Sequence, residues 1–400
     1  MKILWVNANF MHPANKGGSI RTLGILRQLS RQHEIHYAAY ENPACPEAPQ
    51  LAREYAHKAY AVAHRPADKR SPRFAIELAG GLFSDVPLAV SRFHSEKMRA
   101  LLENLLGRER FDRAVVDHLA ISSCYPDLGR SLLFQHNVET VIWRRHVEHA
   151  RNPLHRAYFR LQAGRMLEYE RKVCRAAGHT AAVSAVDAEL MRTMFGVQNV
   201  SVVPTGVDTE YFAPPPSAAA VSDLVFIGSM DWLANVDGVG WFVREVLPLI
   251  RKKRPECSFT IAGRMPPPQI RELGKADPRI VVTGTVPDVR PFLWGAAVSV
   301  VPLRIGGGTR LKIYEAMAAK VPIVSTTVGA EGLEVNPPDD IRIADTAEDF
   351  AAECLELLEN REAAGRIAGA AWEMVSSRFS WAQVACEFAA VLERSPAATG

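Results

Sequence analysis

Residues 298–318 have the sequence VSVVPLRIGGGTRLKIYEAMA. The apolar run Val298–Pro302 is typical of a buried strand, the glycines Gly306–Gly308 of a loop, and Leu311–Ala319 of a helix that Thr309 would cap. A helix N-terminus presents N–H groups without intrahelical partners and a partial positive charge, and glycines let a ligand approach the backbone closely. The segment is therefore predicted to be a strand–loop–helix unit that binds an anion such as phosphate.

Charged side chains in the same segment support this interpretation. Arg310 and Lys312 bring two positive charges into the first turn of the helix, and Glu315 is placed to accept hydrogen bonds from a ribose diol. The segment is not a Walker A loop, because the GK[ST] ending is absent, and it lacks the GxGxxG fingerprint of dinucleotide-binding proteins. The alternative interpretation is a tight strand–helix turn with solvated Arg and Lys side chains.

Strands and helices alternate outward from this segment in both directions. The predicted strands before residue 205 are Ile3–Asn7, Glu34–Tyr40, Ala114–Val116, Leu132–Gln135 and Ala181–Ser184, and Ser19–Leu29 is predicted to be a helix. After a Pro- and Ala-rich linker at 212–220, the predicted strands are Leu224–Ile227, Ser258–Ala262, Ile280–Thr283, Val298–Pro302 and Pro322–Ser325, and Val239–Lys252 is predicted to be a helix. This alternation predicts an α/β fold with two successive doubly wound parallel sheets.

Composition places the chain among ordinary globular proteins. It has 400 residues, of which 48% are apolar and 23% charged, a mix that excludes intrinsic disorder. The six cysteines are dispersed without a CxxC pair, which favours reduced thiols and gives no sign of a zinc site. No apolar run reaches the ~18 residues that span a bilayer, and MKILWVNANF is too short and polar for a signal peptide. We therefore expect a cytoplasmic protein, either free or at the inner face of the cell membrane.

Charge is distributed unevenly along the chain. Residues 1–200 hold 28 Lys and Arg against 19 Asp and Glu, whereas the remainder holds 19 against 25. Residues 143–175 combine many arginines with aromatic and aliphatic side chains. Such a surface can lie on anionic lipid or hold an acidic acceptor, and solvated helices packed on the first domain are the alternative. Nucleic acid is not expected as a partner, since the pI is near 8.5 and no recognised binding motif occurs.

The sequence motifs resemble family 4 retaining glycosyltransferases, which have the GT-B fold. The motifs are the segment at 306–318 with VPIVSTTVGAEGL at 321–333, Gly17-Gly18, QHN at 135–137, VPTGVD at 203–208, FIGSM at 226–230, IAGR at 261–264, TGTVPD at 283–288 and FSW at 379–381. The resemblance implies two Rossmann-like domains facing each other across a cleft. Residues 1–205, completed by a C-terminal helix at 380–400, would bind the acceptor, and residues 206–379 would bind the nucleotide-sugar donor.

The resemblance also implies an activity. A hexosyltransferase of this kind moves a sugar from a UDP- or GDP-sugar to an acceptor hydroxyl with retention of anomeric configuration, without a metal or other cofactor, while the leaving phosphate takes the acceptor proton. The acceptor would be a saccharide or lipid-linked molecule of cell-surface polysaccharide or glycolipid synthesis. Two alternatives remain open, a sugar-nucleotide epimerase of the same architecture and a non-catalytic protein that binds sugar nucleotides.

The site residues expected from the motifs and from the resemblance fall into two groups. The donor-binding group comprises Gly17, Gly18, Gly228, Arg264, Val286, Gly306, Gly307, Gly308, Thr309 and Glu315. The catalytic group comprises His136, which follows a predicted strand at its carboxyl end, Arg310 and Lys312.

The chain departs from the family pattern at two places. Of the family's two glutamates spaced E-x7-E, Glu315 matches the second, and Gly307 replaces the first. The Arg and Lys that the family places after Gly228 are also absent, because Ser229, Met230 and Asn235 occupy that region. We therefore expect Arg310 and Lys312 to supply the positive charge for the donor diphosphate.

Overall fold

The computed structural model describes residues 1–14, 17–68, 71–81, 84–150, 152–216, 222–305 and 310–399. They divide into two units. Unit 1 consists of Met1–Pro204 and Val384–Gly400, and unit 2 consists of Thr205–Gln383. Each unit contains a parallel sheet with helices, so the predicted α/β class with two parallel sheets is confirmed.

Unit 1 is built on a sheet of seven strands in the order β3-β2-β1-β4-β5-β6-β7, with every neighbouring pair parallel. The strands are β1 (Lys2–Asn7), β2 (Glu34–Tyr40), β3 (Lys58–Val62), β4 (Arg113–Asp117), β5 (Leu132–Gln135), β6 (His179–Ala182) and β7 (Val200–Val202). The strand order reverses between β1 and β4, and a doubly wound sheet binds its ligands at the carboxyl ends next to such a reversal.

The helices of unit 1 follow their strands. They are α1 (Gly17–Leu29), α2 (Ala48–Leu51), α3 (Pro72–Gly81), α4 (Leu88–Ser91), α5 (Glu96–Arg108), α6 (Glu139–His149), α7 (Pro153–Ala176) and α8 (Ala185–Leu190). Side-chain caps fix several of their starts. Ser95 accepts a hydrogen bond from the Met98 N–H at the start of α5, and Asn152 accepts from Leu154 and His155 at the start of α7.

Unit 2 repeats this architecture with six strands in the order β10-β9-β8-β11-β12-β13, again all parallel. The strands are β8 (Ser222–Ile227), β9 (Phe259–Ala262), β10 (Ile280–Gly284), β11 (Ala296–Val301), β12 (Ile323–Ser325) and β13 (Arg342–Ile343). Here the order reverses between β8 and β11, so the carboxyl ends of these two strands mark the corresponding ligand position.

Nine further helices occur from residue 233 onward in the part of the chain that the structure describes. They are α9 (Leu233–Trp241), α10 (Leu247–Lys253), α11 (Pro268–Ala276), α12 (Arg290–Trp294), α13 (Leu311–Ala318), α14 (Thr327–Ala330), α15 (Ala347–Glu359), α16 (Arg361–Arg378) and α17 (Trp381–Arg394). A π-turn at Phe242–Val246 joins α9 to α10. From Val384 onward, α17 belongs to unit 1.

The predicted elements agree with the structure to within a few residues. Two details are corrected. Gly17 and Gly18 form the first turn of α1, which begins two residues before the predicted start at Ser19, and the strand predicted at Ala181–Ser184 is β6 at His179–Ala182. The sequence did not predict β3, β7 or β13. Among the described residues, no helix is long and apolar enough to cross a membrane.

Candidate functional site

The strand reversal of unit 2 brings two predicted segments together. Gly228 directly follows β8, and Arg310 lies between β11 and α13, so both segments start at the carboxyl ends of neighbouring strands. The predicted ligands Gly306, Gly307, Gly308 and Thr309 lie outside the described residues.

Lys312 is held next to Gly228. Its ammonium group donates a hydrogen bond of 3.0 Å to Oδ1 of Asn235 and lies 4.1 Å from the centroid of the Phe226 ring. A Cβ atom at Gly228 would lie 2.6 Å from Nζ of Lys312, so a larger residue there would displace the ammonium group from this position. Asn235 is fixed in turn by a hydrogen bond of 2.7 Å to the carbonyl oxygen of Ser229.

Arg310 is the N-cap residue of α13 and is buried, with its guanidinium 5.4 Å from the Trp232 ring. The prediction that Thr309 caps this helix is therefore wrong by one residue, and the Arg310 side chain itself makes no capping hydrogen bond. Side chains that commonly cap helices are short oxygen acceptors, which an arginine does not provide. The first turn of α13 thus begins at a buried cation.

Burial shifts the pKa of a basic and of an acidic side chain in this cluster to about 7. Burial and the neighbouring Arg310 lower the pKa of Lys312 to about 7, against the opposing effect of Glu315. Burial raises the pKa of Glu315 to about 7, with Lys312 acting in the opposite direction. An anion bound at Lys312 and Arg310 would favour their charged forms, so the cluster is suited to a phosphate ligand.

Arg264, which follows β9, contacts the segment that follows β8. Its Nε donates a hydrogen bond of 2.8 Å to Oγ of Ser229, and its guanidinium lies 3.6 Å from the carboxylate of Asp231. Arg264 is therefore adjacent to Gly228. Val286 follows β10, which is two strands away from β8 in the sheet.

His136 occupies the corresponding edge in unit 1, immediately after β5. Its Nε2 lies 2.6 Å from Oδ1 of Asp117, and its Nδ1 lies 3.0 Å from a guanidinium nitrogen of Arg21. Gly18 adjoins the ring, since a Cβ atom there would lie 3.5 Å from Nδ1. Gly17 and Gly18, both exposed, form the first turn of α1, and this turn lies beside the His136 ring.

Sequence reasoning did not single out Asp117, which is fully buried at the end of β4. Its Oδ2 accepts hydrogen bonds from Trp5, Asn7 and Thr22 at distances of 2.9, 2.7 and 2.8 Å. The available signal was an aspartate at the end of the apolar strand AVVD, next to the strand reversal. This signal does not reveal partners that lie about 95 to 112 residues earlier in the chain.

His118 and Glu139 extend this edge of unit 1. Nε2 of His118 lies 3.4 Å from the Glu139 carboxylate, and His118 has a φ of 84°, in the left-handed region. Burial raises the pKa of Glu139 to about 7. The part of the chain that the structure describes contains no group of three or more His, Cys, Asp and Glu side chains able to hold a metal ion.

Residues 143–175 form most of α6 and α7, with Arg151 outside the described residues. Trp143 and Phe159 pack the two helices together, with ring centroids 6.2 Å apart. Several arginines bond to the backbone. Arg156 donates to the Ala150 carbonyl, and Arg175 donates to that of Phe195. The start of α7 nevertheless has an apolar side chain in solvent, since Leu154 is 78% exposed.

Two doubly wound parallel sheets, each with polar residues clustered where its strand order reverses, define a protein of two Rossmann-like units. The chain belongs to the group 1 glycosyltransferases of family 4. Residues 222–360 match the family described as "Glycosyl transferases group 1", and residues 16–211 match "Glycosyltransferase Family 4".

Solved structures show the same fold. Sucrose-phosphate synthase from Thermosynechococcus elongatus is 15% identical over 98% of both chains, with a TM-score of 0.70. HepE from Anabaena, in complex with UDP, is 12% identical over 98% of this chain and 100% of that one, with a TM-score of 0.69. WaaG, a glycosyltransferase involved in lipopolysaccharide biosynthesis, is 13% identical over 98% and 99%, with a TM-score of 0.64. These similarities confirm the predicted GT-B fold class.

A curated relative gives a shorter match. An uncharacterized 44.6 kDa protein in the cps region of Klebsiella pneumoniae is 26% identical over 164 residues. The match spans 39% of this chain and 42% of the length of that relative.

Proposed function

We propose that the protein transfers a sugar from a nucleoside-diphosphate sugar to an acceptor hydroxyl. The observation that carries this proposal is the cluster of Lys312, Arg310 and Glu315 at the strand reversal of unit 2. The cluster combines two cations and a helix N-terminus with a carboxylate one turn further along the helix. HepE, a protein of the same fold, has been solved with UDP and with UDP-glucose, which supports a nucleotide-sugar donor.

In the proposed reaction the bond between the anomeric carbon and the diphosphate breaks. Negative charge then grows on the diphosphate, and Arg310 and Lys312 stabilise it from fixed positions. We propose that the sugar keeps its anomeric configuration, that the leaving phosphate takes the acceptor proton, and that no metal is required. The protein should accordingly remain active in EDTA, because side chains supply the positive charge.

We assign the remaining predicted residues to the same reaction. Gly228, Arg264, Val286 and the segment Gly306–Thr309 would bind the donor, together with Gly17 and Gly18 of unit 1. His136 would act at the reacting sugar from unit 1, which would also hold the acceptor. We propose a saccharide or lipid-linked acceptor of cell-surface polysaccharide or glycolipid synthesis, a class supported by the lipopolysaccharide role of WaaG.

A two-stage experiment tests the proposed function. Thermal shifts with UDP, GDP and their sugars first identify the donor, because a ligand that binds only the folded state raises the melting temperature. The selected donor is then incubated with saccharide and lipid-linked acceptors, and NMR of the product gives the anomeric configuration. Retained configuration in a transferred sugar is the expected result. An epimerised sugar with the donor alone, or donor binding without turnover in every acceptor mixture, would contradict the proposal.

We further propose that α6 and α7 contact an anionic membrane surface at the cytoplasmic face. The apolar part of this surface includes Leu154 and Leu161, which are 78% and 40% exposed, and arginines lie beside them. Sedimentation with vesicles containing anionic lipid tests the contact. L154D/L161D should abolish it, whereas Leu51→Asp, at a leucine of unit 1 that is 43% exposed, should not. Equal sedimentation of all three proteins would contradict the proposal.

A further inference from the structure

We propose that Asp117 and Arg21 are positioning residues that hold His136 as a neutral ring with its proton on Nε2. His136 would therefore act on its ligand without taking up a proton. This inference deepens the proposed function and rests on it for the role of His136 in transfer. The arrangement of the three side chains can be tested separately.

Asp117 is an anchored hydrogen-bond acceptor. Its side chain is fully buried, and its Oδ2 is already occupied by Trp5, Asn7 and Thr22, which come from β1 and α1. Oδ1 therefore points to His136, at 2.6 Å from Nε2. Burial tends to raise the pKa of Asp117, but the hydrogen bonds donated by His136, Trp5 and Thr22 oppose it, and the pKa lies below the usual range. Asp117 is thus a carboxylate that accepts a hydrogen from His136.

Arg21 determines the state of the other ring nitrogen. A guanidinium group has N–H donors and no acceptor, so the 3.0 Å contact between Arg21 and Nδ1 requires a lone pair on Nδ1. Burial lowers the pKa of Arg21 only to about 10, so this group remains charged at neutral pH. The ring must then carry its single proton on Nε2, where it is donated to Asp117. The contacts at the two nitrogens agree on one tautomer.

The charges around His136 oppose protonation. Burial is the largest effect and lowers the pKa of His136, Asp117 acts to raise it, and Arg21 and His118 lower it further. His118 faces the ring at a centroid distance of 5.9 Å, and Phe134 at 4.6 Å contributes no charge. Asp187 acts on Arg21 and helps to keep it charged. A second proton would enter at Nδ1, directly against the Arg21 guanidinium.

This arrangement assigns His136 a role other than general base. Nε2 is already protonated and bonded to Asp117, and Nδ1 faces a cation, so neither nitrogen is available to remove the acceptor proton. The Nδ1–Cε1 edge faces Gly18 at the first turn of α1. His136 is therefore a fixed neutral dipole at this edge, and the acceptor proton must leave by another group.

NMR of the full-length protein with 15N-labelled histidine tests the tautomer. The His136 signals are identified by their loss in His136→Gln. We expect a protonated Nε2 and an unprotonated Nδ1 from pH 6 to pH 8. A protonated Nδ1, or a doubly protonated ring in this range, would overturn the proposal.

Variants test whether the charges of Arg21 and Asp117 determine the pKa of His136. Arg21→Met should raise the His136 pKa by about one pH unit or more, and Asp117→Asn should lower it, because the two neighbours carry opposite charges. Arg27→Met on the same helix should leave it unchanged, and Arg21→Lys should restore part of the effect. Shifts in the same direction for Arg21→Met and Asp117→Asn, or no shift in Arg21→Met, would contradict the proposal. If Asp117→Asn fails to fold, the His136 pKa in Arg21→Met and the tautomer in the wild-type protein decide whether the proposal holds.

These results are independent of turnover. Absence of sugar transfer together with the expected tautomer would remove the proposed function and leave the positioning intact. Transfer together with a charged or Nδ1-protonated His136 would remove only the inference about Asp117 and Arg21.

Discussion

At the scale of single residues, Lys312 shows how burial prepares a side chain for a ligand. Its ammonium group lies against Phe226 and Asn235 and close to Arg310, and its pKa falls to about 7. A lysine in this state gains from an anionic ligand, because the anion adds negative charge beside the ammonium group and favours its charged form. The apolar and cationic surroundings therefore favour the binding of phosphate at Lys312.

Nucleoside-diphosphate affinity should depend on pH through Lys312. A bound anion raises the lysine pKa, so its contribution is complete below about pH 7 and declines as pH rises through the pKa in the complex. Lys312→Arg keeps its charge and should lack this dependence. The ratio of the two dissociation constants, measured by calorimetry from pH 6 to pH 9.5, should change at least several-fold. A constant ratio would contradict the prediction, and the titration of Glu315 and phosphate cancels in the ratio.

Glu315 should act on the nucleoside and not on the diphosphate. Glu315→Gln replaces a charged acceptor by a neutral one and should weaken binding of the nucleoside diphosphate by at least roughly 10-fold, since a hydrogen bond to a charged group contributes about 1.5–3 kcal/mol. Inorganic pyrophosphate, which has no ribose, should not show this loss. An equal loss for both ligands would show that Glu315 acts through the cations.

The candidate residues of unit 2 lie closer together in sequence than those of unit 1. Arg310, Lys312 and Glu315 lie within six residues of one another, so a local motif contains them. Asp117 and Arg21 reach His136 from β4 and α1, at separations of 19 and 115 residues. Local patterns contain no information on contacts at that range, and only the folded sheet brings these side chains together.

At the scale of secondary-structure elements, the buried central strands were predicted well, whereas the edge strands β3, β7 and β13 were not. β1 and β5 are almost entirely buried, and their apolar sequences indicate strands directly. β3 is mostly exposed, and β7 and β13 contain three and two residues. Short or exposed edge strands lack the apolar run that indicates a buried strand, because few of their side chains enter the core.

Substitution of Gly263 tests whether the loops after β8 and β9 must approach each other closely. A Cβ atom there would overlap the carbonyl oxygen of Gly228, which is backbone and cannot rotate away. Gly263→Ala should therefore destabilise the protein by about 1–3 kcal/mol and weaken donor binding. Gly365→Ala, inside α16 where a Cβ meets open space, should be neutral or stabilising by up to about 1 kcal/mol. Thermal denaturation that lowers both melting temperatures equally would contradict this account.

At the scale of the whole molecule, the chain forms two units, and its C-terminal segment returns to the first. Phe388 on α17 stacks on Trp5 at 5.2 Å and meets Phe134 edge to face at 5.1 Å. These rings belong to the core of unit 1, although Phe388 lies more than 250 residues from Phe134 in sequence. Hydrophobic periodicity alone gives no sign of this return.

Removing the Phe388 ring should destabilise unit 1 selectively. Phe388→Ala leaves a cavity beside Trp5 and should cost about 3–5 kcal/mol. Hydrogen exchange followed by mass spectrometry should show faster exchange in β1, β4 and β5. Phe350→Ala, which removes an equally buried ring between Trp241 and Phe242, should act on unit 2 instead. The same exchange pattern for both variants would contradict the division into two units.

The most direct test of the account is calorimetric binding of the nucleoside diphosphate to a variant that lacks both cations of unit 2. R310A/K312A should lose donor binding by at least roughly 100-fold, since each charged hydrogen bond contributes about 1.5–3 kcal/mol, while its far-UV spectrum stays native. K275A/R279A removes two other cations of unit 2, one in the last turn of α11 and one directly before β10. This variant should bind the nucleoside diphosphate as the wild type does. Unchanged affinity in R310A/K312A would show that the diphosphate binds elsewhere and would contradict the central claim.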